Sequence, residues 1–176
     1  QNVISQEQLC EKIIATLGVN LTKEEIQGCL KGLEIIEPKV TKLFWKAGLA
    51  KPGIFIVLAG KARLLDDADN IIATVTSGAS FAEQSLFGED NYLNLSARAS
   101  TGLKLCYLRG EIIHQLIEKY PQIRERLWQR TEFWDLLLMC RQNSQISRIS
   151  STEEIFKALC LFERYNIDPG ENAKKL

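Results

Sequence analysis

From Val40 to Leu108 the chain is a series of short β-rich runs broken by turn residues, and this pattern constrains the fold more than anything else in the sequence. The runs occupy residues 43–45, 54–58, 62–65, 71–75, 95–99 and 103–108. Between them lie Lys46-Ala47-Gly48, Lys51-Pro52-Gly53, Asp66-Asp67-Ala68-Asp69-Asn70 and Ser77-Gly78. Runs this short are below helix length, and punctuation this regular predicts a compact antiparallel sandwich or roll of about eight short strands. The acidic stretch at 66–70 reads as a hairpin tip, because it lacks the glycine and distal glutamate of a calcium loop.

Helical patterning flanks this region. Leu9, Ile13 and Leu17 share one face after a Ser5 cap, with Gly18 as the stop. Thr22-Lys23-Glu24-Glu25 spells a capping box, and the helix it opens turns Ile26, Cys29, Leu30 and Leu33 toward a core until Pro38. After Arg109, Ile113, Leu116, Ile117 and Tyr120 recur at helical spacing; Pro121 then marks a new helix through about Arg141. Residues 142–151 are polar and serine-rich and read as a linker before a last helix at 152–165. The expected organisation is a helical segment at 1–39, a β-roll at 40–108 with its distinctive segment at 78–99, helices at 109–143, and a linker with terminal helix at 144–176. The class is α+β.

Charge and composition narrow the function. The 176 residues carry 22 basic and 22 acidic side chains, and a chain without basic excess is a poor candidate for nucleic acid. No apolar run approaches the roughly 18–20 residues of a membrane span. The five cysteines form no CxxC pair and have apolar neighbours, so they are expected as reduced, buried thiols of a cytoplasmic protein. The start, Gln1-Asn2-Val3-Ile4, reads as part of a longer protein. His114 is the only histidine, which argues against a metal site or a catalytic triad. Gly60-Lys61-Ala62 lacks the spacing of a phosphate loop. An enzyme is not expected.

Residues 77–87 stand apart because small side chains crowd around Glu83. Small residues let backbone approach a ligand closely, and exposed N–H groups at a helix start attract anions. A carboxylate among them suits ribose hydroxyls. A tight turn in which Glu83 satisfies local backbone donors explains the same residues.

The order of these pieces resembles the cyclic nucleotide-binding domain of catabolite-activator-like regulators, protein kinase regulatory subunits and gated channels. Gly48, Gly60 and Gly78 sit like that family's turn glycines, and residues 54–64 look like its strand–glycine–strand signature. Phe81-Ala82-Glu83-Gln84-Ser85-Leu86 resembles the start of its phosphate-binding cassette, usually Phe-Gly-Glu-Leu-Ala-Leu. Leu105-Cys106-Tyr107-Leu108-Arg109 and the helix at 111–120 match the exit into its hinge helix. The resemblance implies an antiparallel double-stranded β-helix, a jelly-roll-like β-roll flanked by N-terminal helices and by C-terminal hinge and lid helices. It implies ligand contacts from Phe81, Ala82, Glu83, Gln84 and Ser85, and a lid bearing Trp128, Phe133 and Trp134. Those aromatics could stack on a purine, or serve as core or dimer packing. Arg124, Glu125, Arg126, Arg130 and Glu132 read as the solvated face of the same helix.

Two departures from the family pattern bear on binding. Ala82 replaces the cassette glycine, which puts a glycine-favoured backbone conformation at risk. Where the family carries its phosphate-pairing arginine stand Tyr92 and Leu93, and the next candidate, Arg98, resembles a strand-borne arginine that would reach a phosphate only through a lengthened cassette. An unmatched buried charge costs about 3–5 kcal/mol, so tight binding of cyclic AMP or GMP is not expected and no other cofactor is implied.

The functional expectation is a non-catalytic regulatory sensor that passes ligand or partner state to an attached effector or partner protein. A ligand-free interaction or dimerisation module is the alternative, with the pocket filled by its own side chains, among them Phe87, Tyr92 or Leu93. The opening helices and the cassette also resemble the cytosolic N-terminal segments of bacterial peptide- or toxin-secretion ABC transporters. Residues 151–176 have no net basic character and offer no DNA-binding element.

Overall fold

The computed structural model describes residues 4–49, 51–88 and 95–142, with side chains described through Met139. Expectations for positions beyond these, including Tyr92, Leu93 and the segment 144–176, lie outside the described residues. Both expected capping boxes form. Ser5 and Gln8 close the start of α1 (Gln6–Leu17), and Thr22 and Glu25 close that of α2 (Lys23–Lys31), each side chain accepting from the other's backbone N–H. Gly18 ends α1 in the left-handed conformation.

The second helix is shorter than its periodicity suggests. It stops at Lys31, and Leu33–Ile36 forms strand β1 instead, paired antiparallel with a strand late in the chain. The remaining strands are β2 (Leu43–Lys46), β3 (Gly53–Ala59), β4 (Ala62–Leu65), β5 (Ile71–Val75), β6 (Ser80–Phe81), β7 (Ser96–Ala99) and β8 (Lys104–Arg109). They form two four-stranded antiparallel sheets, ordered β1-β8-β3-β6 and β2-β7-β4-β5. The hairpin tip at 66–70 closes as an Asx turn, with Asp66 Oδ1 accepting from the N–H groups of Ala68 and Asn70.

Strand β3, inside the first sheet, is buried on both faces, in keeping with its almost uninterruptedly apolar sequence. Phe55 and Val57 point between the sheets, into a core shared with Trp45, Leu64, Val75, Phe81 and Leu105. Ile54, Ile56 and Leu58 point the other way, onto Ile13, Leu17, Ile113 and Leu127 of the helical layer. Arg109 leads directly from β8 into α3 (Gly110–Lys119), and α4 (Gln122–Gln142) follows. Helix α4 serves both cores. Ile123 and Leu127 pack in the helical layer, whereas Phe133, Trp134, Leu137 and Leu138 enter the space between the sheets.

Candidate functional site

Strand β5 hands over to the cassette through a turn tied to β3, where Gly78 N–H donates to the Val57 carbonyl and Val57 N–H to the Ala79 carbonyl. Two residues of β6 then pair with Phe55 and Ile56. Ala82 follows in the left-handed conformation, φ 75° and ψ 15°. The glycine-like backbone is therefore kept rather than lost, at the strain an alanine carries there. Its buried methyl group packs in the inter-sheet core, which offsets part of that strain. A single 3-10 turn, Glu83–Leu86, completes the cassette. Ser85 pins it to the start of β3: its hydroxyl accepts from Gly53 N–H at 3.0 Å and lies within 2.9 Å of the Gly53 and Ala82 carbonyls.

Glu83 is fully buried, and its partners are side chains rather than the backbone donors of a tight turn. The Ser80 hydroxyl donates to Oε1 at 2.6 Å. Trp134 Nε1–H, brought by α4, donates to Oε2 at 3.1 Å. Arg130 Nε stands 4.0 Å from Oε1, and another guanidinium N–H of Arg130 reaches the Ser80 carbonyl at 3.4 Å. The Arg130 guanidinium also lies over the rings of Phe133 and Trp134, at 5.3 and 5.4 Å from their centroids. Both carboxylate oxygens thus have donors, with a cation alongside. A buried carboxylate needs this company, because desolvation penalises it heavily otherwise.

The other expected ligand residues separate. Phe81 is a core residue, stacked on Phe55 at 5.0 Å and edge-on to Phe44 and Trp45. Gln84 is fully buried, and neither of its amide atoms has a hydrogen-bond partner. Arg98 does not reach Glu83. It lies on β7 between Ala97 and Ala99, both buried in the inter-sheet core, and the strand's alternation turns Arg98 to the opposite face.

The three lid aromatics divide as well. Phe133 and Trp134 are buried at the cassette, but Trp128 is 37% exposed, edge-on to Phe87 at 5.2 Å, with its N–H donated to Glu132. The face read as solvated is only partly so. Arg126 donates to the carbonyls of Ala15 and Thr16 near the end of α1, a favourable place for a cation. Arg130 joins the cassette. The signal for Arg130 was its spacing, three residues after Leu127 and four before Trp134, which places all three on one helix face.

The described residues thus form a β-roll of two four-stranded antiparallel sheets with a Phe-x-Glu cassette directly after β6. The family model for the cyclic nucleotide-binding domain matches residues 41–120. No curated protein matches the chain. Among solved structures, the chain is similar to cAMP-bound PfPKA-R (141-441), at 16% identity and a TM-score of 0.60, covering 80% of this chain and 49% of that one. It therefore spans about half the length of that protein. It is similar to a putative cyclic nucleotide-binding protein from Geobacter metallireducens GS-15, at 18% identity and a TM-score of 0.57, covering 80% of this chain and 100% of the other. It is also similar to the sensor domain of the transcriptional regulator DNR from Pseudomonas aeruginosa, at 13% identity and a TM-score of 0.54, covering 62% of this chain and 80% of that one. Likeness at these identities concerns the fold.

Proposed function

We propose that this chain is a non-catalytic regulatory module in which the C-terminal helix α4 occupies the cassette that relatives offer to a cyclic nucleotide. The observation that carries this reading is the saturation of Glu83 by Ser80, Trp134 and Arg130. A cyclic nucleotide seeking Glu83 would have to displace the indole N–H, withdraw Trp134 from the inter-sheet core, and do so without the family's cassette arginine. Docking and release of α4 is then the output, felt by an attached effector or a partner protein in the cytoplasm. The resemblance of the opening helices and cassette to N-terminal segments of secretion ABC transporters makes such a transporter our proposal for the effector. Isothermal titration of the chain with cyclic AMP and cyclic GMP tests the reading, and no saturable heat is expected.

A ligand sensor is the second reading, favoured by one observation. Gln84 holds two buried polar atoms without partners inside the closed cassette, a costly arrangement that a ligand able to engage an amide would relieve. Saturable heat with either nucleotide would decide for this reading, and Glu83→Ala would then abolish the heat.

A further inference from the structure

The strand-borne Arg98 belongs to a different arrangement. Register pairing sets Leu43, Arg98, Arg63 and Thr74 directly opposite one another, in that order, across β2, β7, β4 and β5. Directly opposed residues share a face, and this face is the one turned away from Ala62, Leu64, Ala97 and Ala99 in the core. Two arginines therefore occupy directly opposed positions on the two middle strands of the sheet. Lys46 adds a third positive charge on the same face, opposite Ser96. The four strands contain no Asp or Glu at all, although the chain as a whole is neutral.

Like charges directly opposite destabilise a sheet unless something compensates them. Here the compensation within the chain is slight. Arg63 donates to the Thr74 hydroxyl at 2.7 Å, and among the described residues no carboxylate comes within ion-pair distance of Arg63 or Arg98. Both arginines are half-buried, so solvent screens them less than it would free surface charges. Paired guanidinium forks match carboxylate geometry. Exposed Leu43 (49%) and Ile71 (41%), on the two outermost strands, add apolar purchase at either end.

We infer that the outer face of the β2-β7-β4-β5 sheet binds an acidic protein segment, whose carboxylates pair with Arg63 and Arg98 while an adjacent apolar residue rests on Leu43 or Ile71. Two arginines on adjacent strands, with Lys46 beyond them, favour a chain segment that carries several carboxylates over a single small anion. This surface lies apart from the cassette, so its occupancy is independent of whether Glu83 ever meets a nucleotide.

The test is fluorescence anisotropy with a labelled peptide of sequence Glu-Leu-Glu-Asp-Leu-Glu, against the same peptide with every acid replaced by lysine. The acidic peptide is expected to bind saturably, the basic one not. Arg63→Gln and Arg98→Gln should each weaken binding by about tenfold, and raising salt from low to moderate concentration should weaken it further. Trp134→Phe should leave it unchanged. Should an arginine variant fold poorly, Lys46→Gln at the exposed margin carries the same test with a smaller loss. Absence of saturable binding, equal affinity in the arginine variants, or displacement of the peptide by inorganic phosphate at matched ionic strength would each overturn the inference.

Discussion

Trp134 Nε1–H donates to Glu83 Oε2 at 3.1 Å, and both residues are essentially withdrawn from solvent. One hydrogen bond thus joins the cassette to the helix that follows it, across 51 residues of sequence. The contact is specific in a way apolar packing is not. Phe133, Leu137 and Leu138 would tolerate small shifts of α4, whereas a buried carboxylate loses a donor if the indole moves by a fraction of its length. The position of α4 is therefore coupled to the state of Glu83.

Replacing Trp134 by Phe keeps a buried aromatic ring but removes the donor together with part of the indole's volume. Stability should fall by about 1–3 kcal/mol, the cost of an unsatisfied buried acceptor. Urea denaturation checks this, and an unchanged midpoint would mean that packing alone holds the helix down. Trp134→Ala adds a cavity and should cost more, about 3–5 kcal/mol.

Asp135, the next residue along α4, gives a pH signature. Burial pushes its carboxyl up from 3.8 to about 6, with the charge of Glu132 adding to the shift, and its Oδ1 is buried without a hydrogen-bond partner. Between pH 3.8 and 6 the folded state holds more proton than the unfolded state, so stability declines as pH rises through that window and stays lower above it. Asp135→Asn should stabilise the protein at pH 7 by about 1 kcal/mol, less than the full shift would give because solvent still reaches the group. The gain should vanish near pH 3.5. Paired urea titrations of the two proteins at the two pH values measure it.

Local signals in the sequence proved reliable where a single element decides the outcome. Ser5 with Gln8 and Thr22 with Glu25 spelled their capping boxes because the bonds close within one turn. The strands from Leu43 onward were legible from their composition and turns, except the two-residue β6 (Ser80–Phe81), which lies inside the small-residue segment. Strand β1 was not, since Ile26, Cys29, Leu30 and Leu33 fit a helical period, and only pairing with β8 makes Leu33–Ile36 extended. Glu83 stood out by its small neighbours, but Arg130 and Trp134 reach it through a helix that serves two cores at once. Apolar residues on more than one side of α4 blur the periodicity from which a buried face is read.

Glu25 shows the opposite pH behaviour. Its carboxylate accepts from Thr22 N–H in the capping box and from the Tyr120 hydroxyl at 2.7 Å, with Lys119 at 3.2 Å, so it ties α2 to the end of α3. The Thr22 N–H first, and the Tyr120 hydroxyl next, lower its pKa from 4.5 to about 2. With the folded value depressed, the stabilisation is present above pH 4.5 and is lost as pH falls toward 2. Glu25→Gln should be less stable than the parent at pH 6 and indistinguishable from it near pH 2. Urea midpoints across that range decide, and parallel curves for the two proteins would rule out the carboxylate as the source.

Gly48 and Gly60 separate backbone strain from steric approach. Both have positive φ, 84° and 72°, so alanine at either meets the left-handed penalty of about 1–2 kcal/mol, reduced somewhat by the stiffer unfolded chain. At Gly48 a Cβ would meet nothing within 4 Å. At Gly60 it would sit 2.5 Å from the carbonyl carbon and oxygen of Gly102 and 2.6 Å from Leu103 N, all backbone atoms that no rotamer change can move aside. The β3–β4 turn and the turn before β8 would have to part, and overpacking of this kind costs about 1–3 kcal/mol more. Gly60→Ala should therefore be clearly less stable than Gly48→Ala in thermal denaturation. Equal losses would mean that the approach of the two turns is looser than these distances imply.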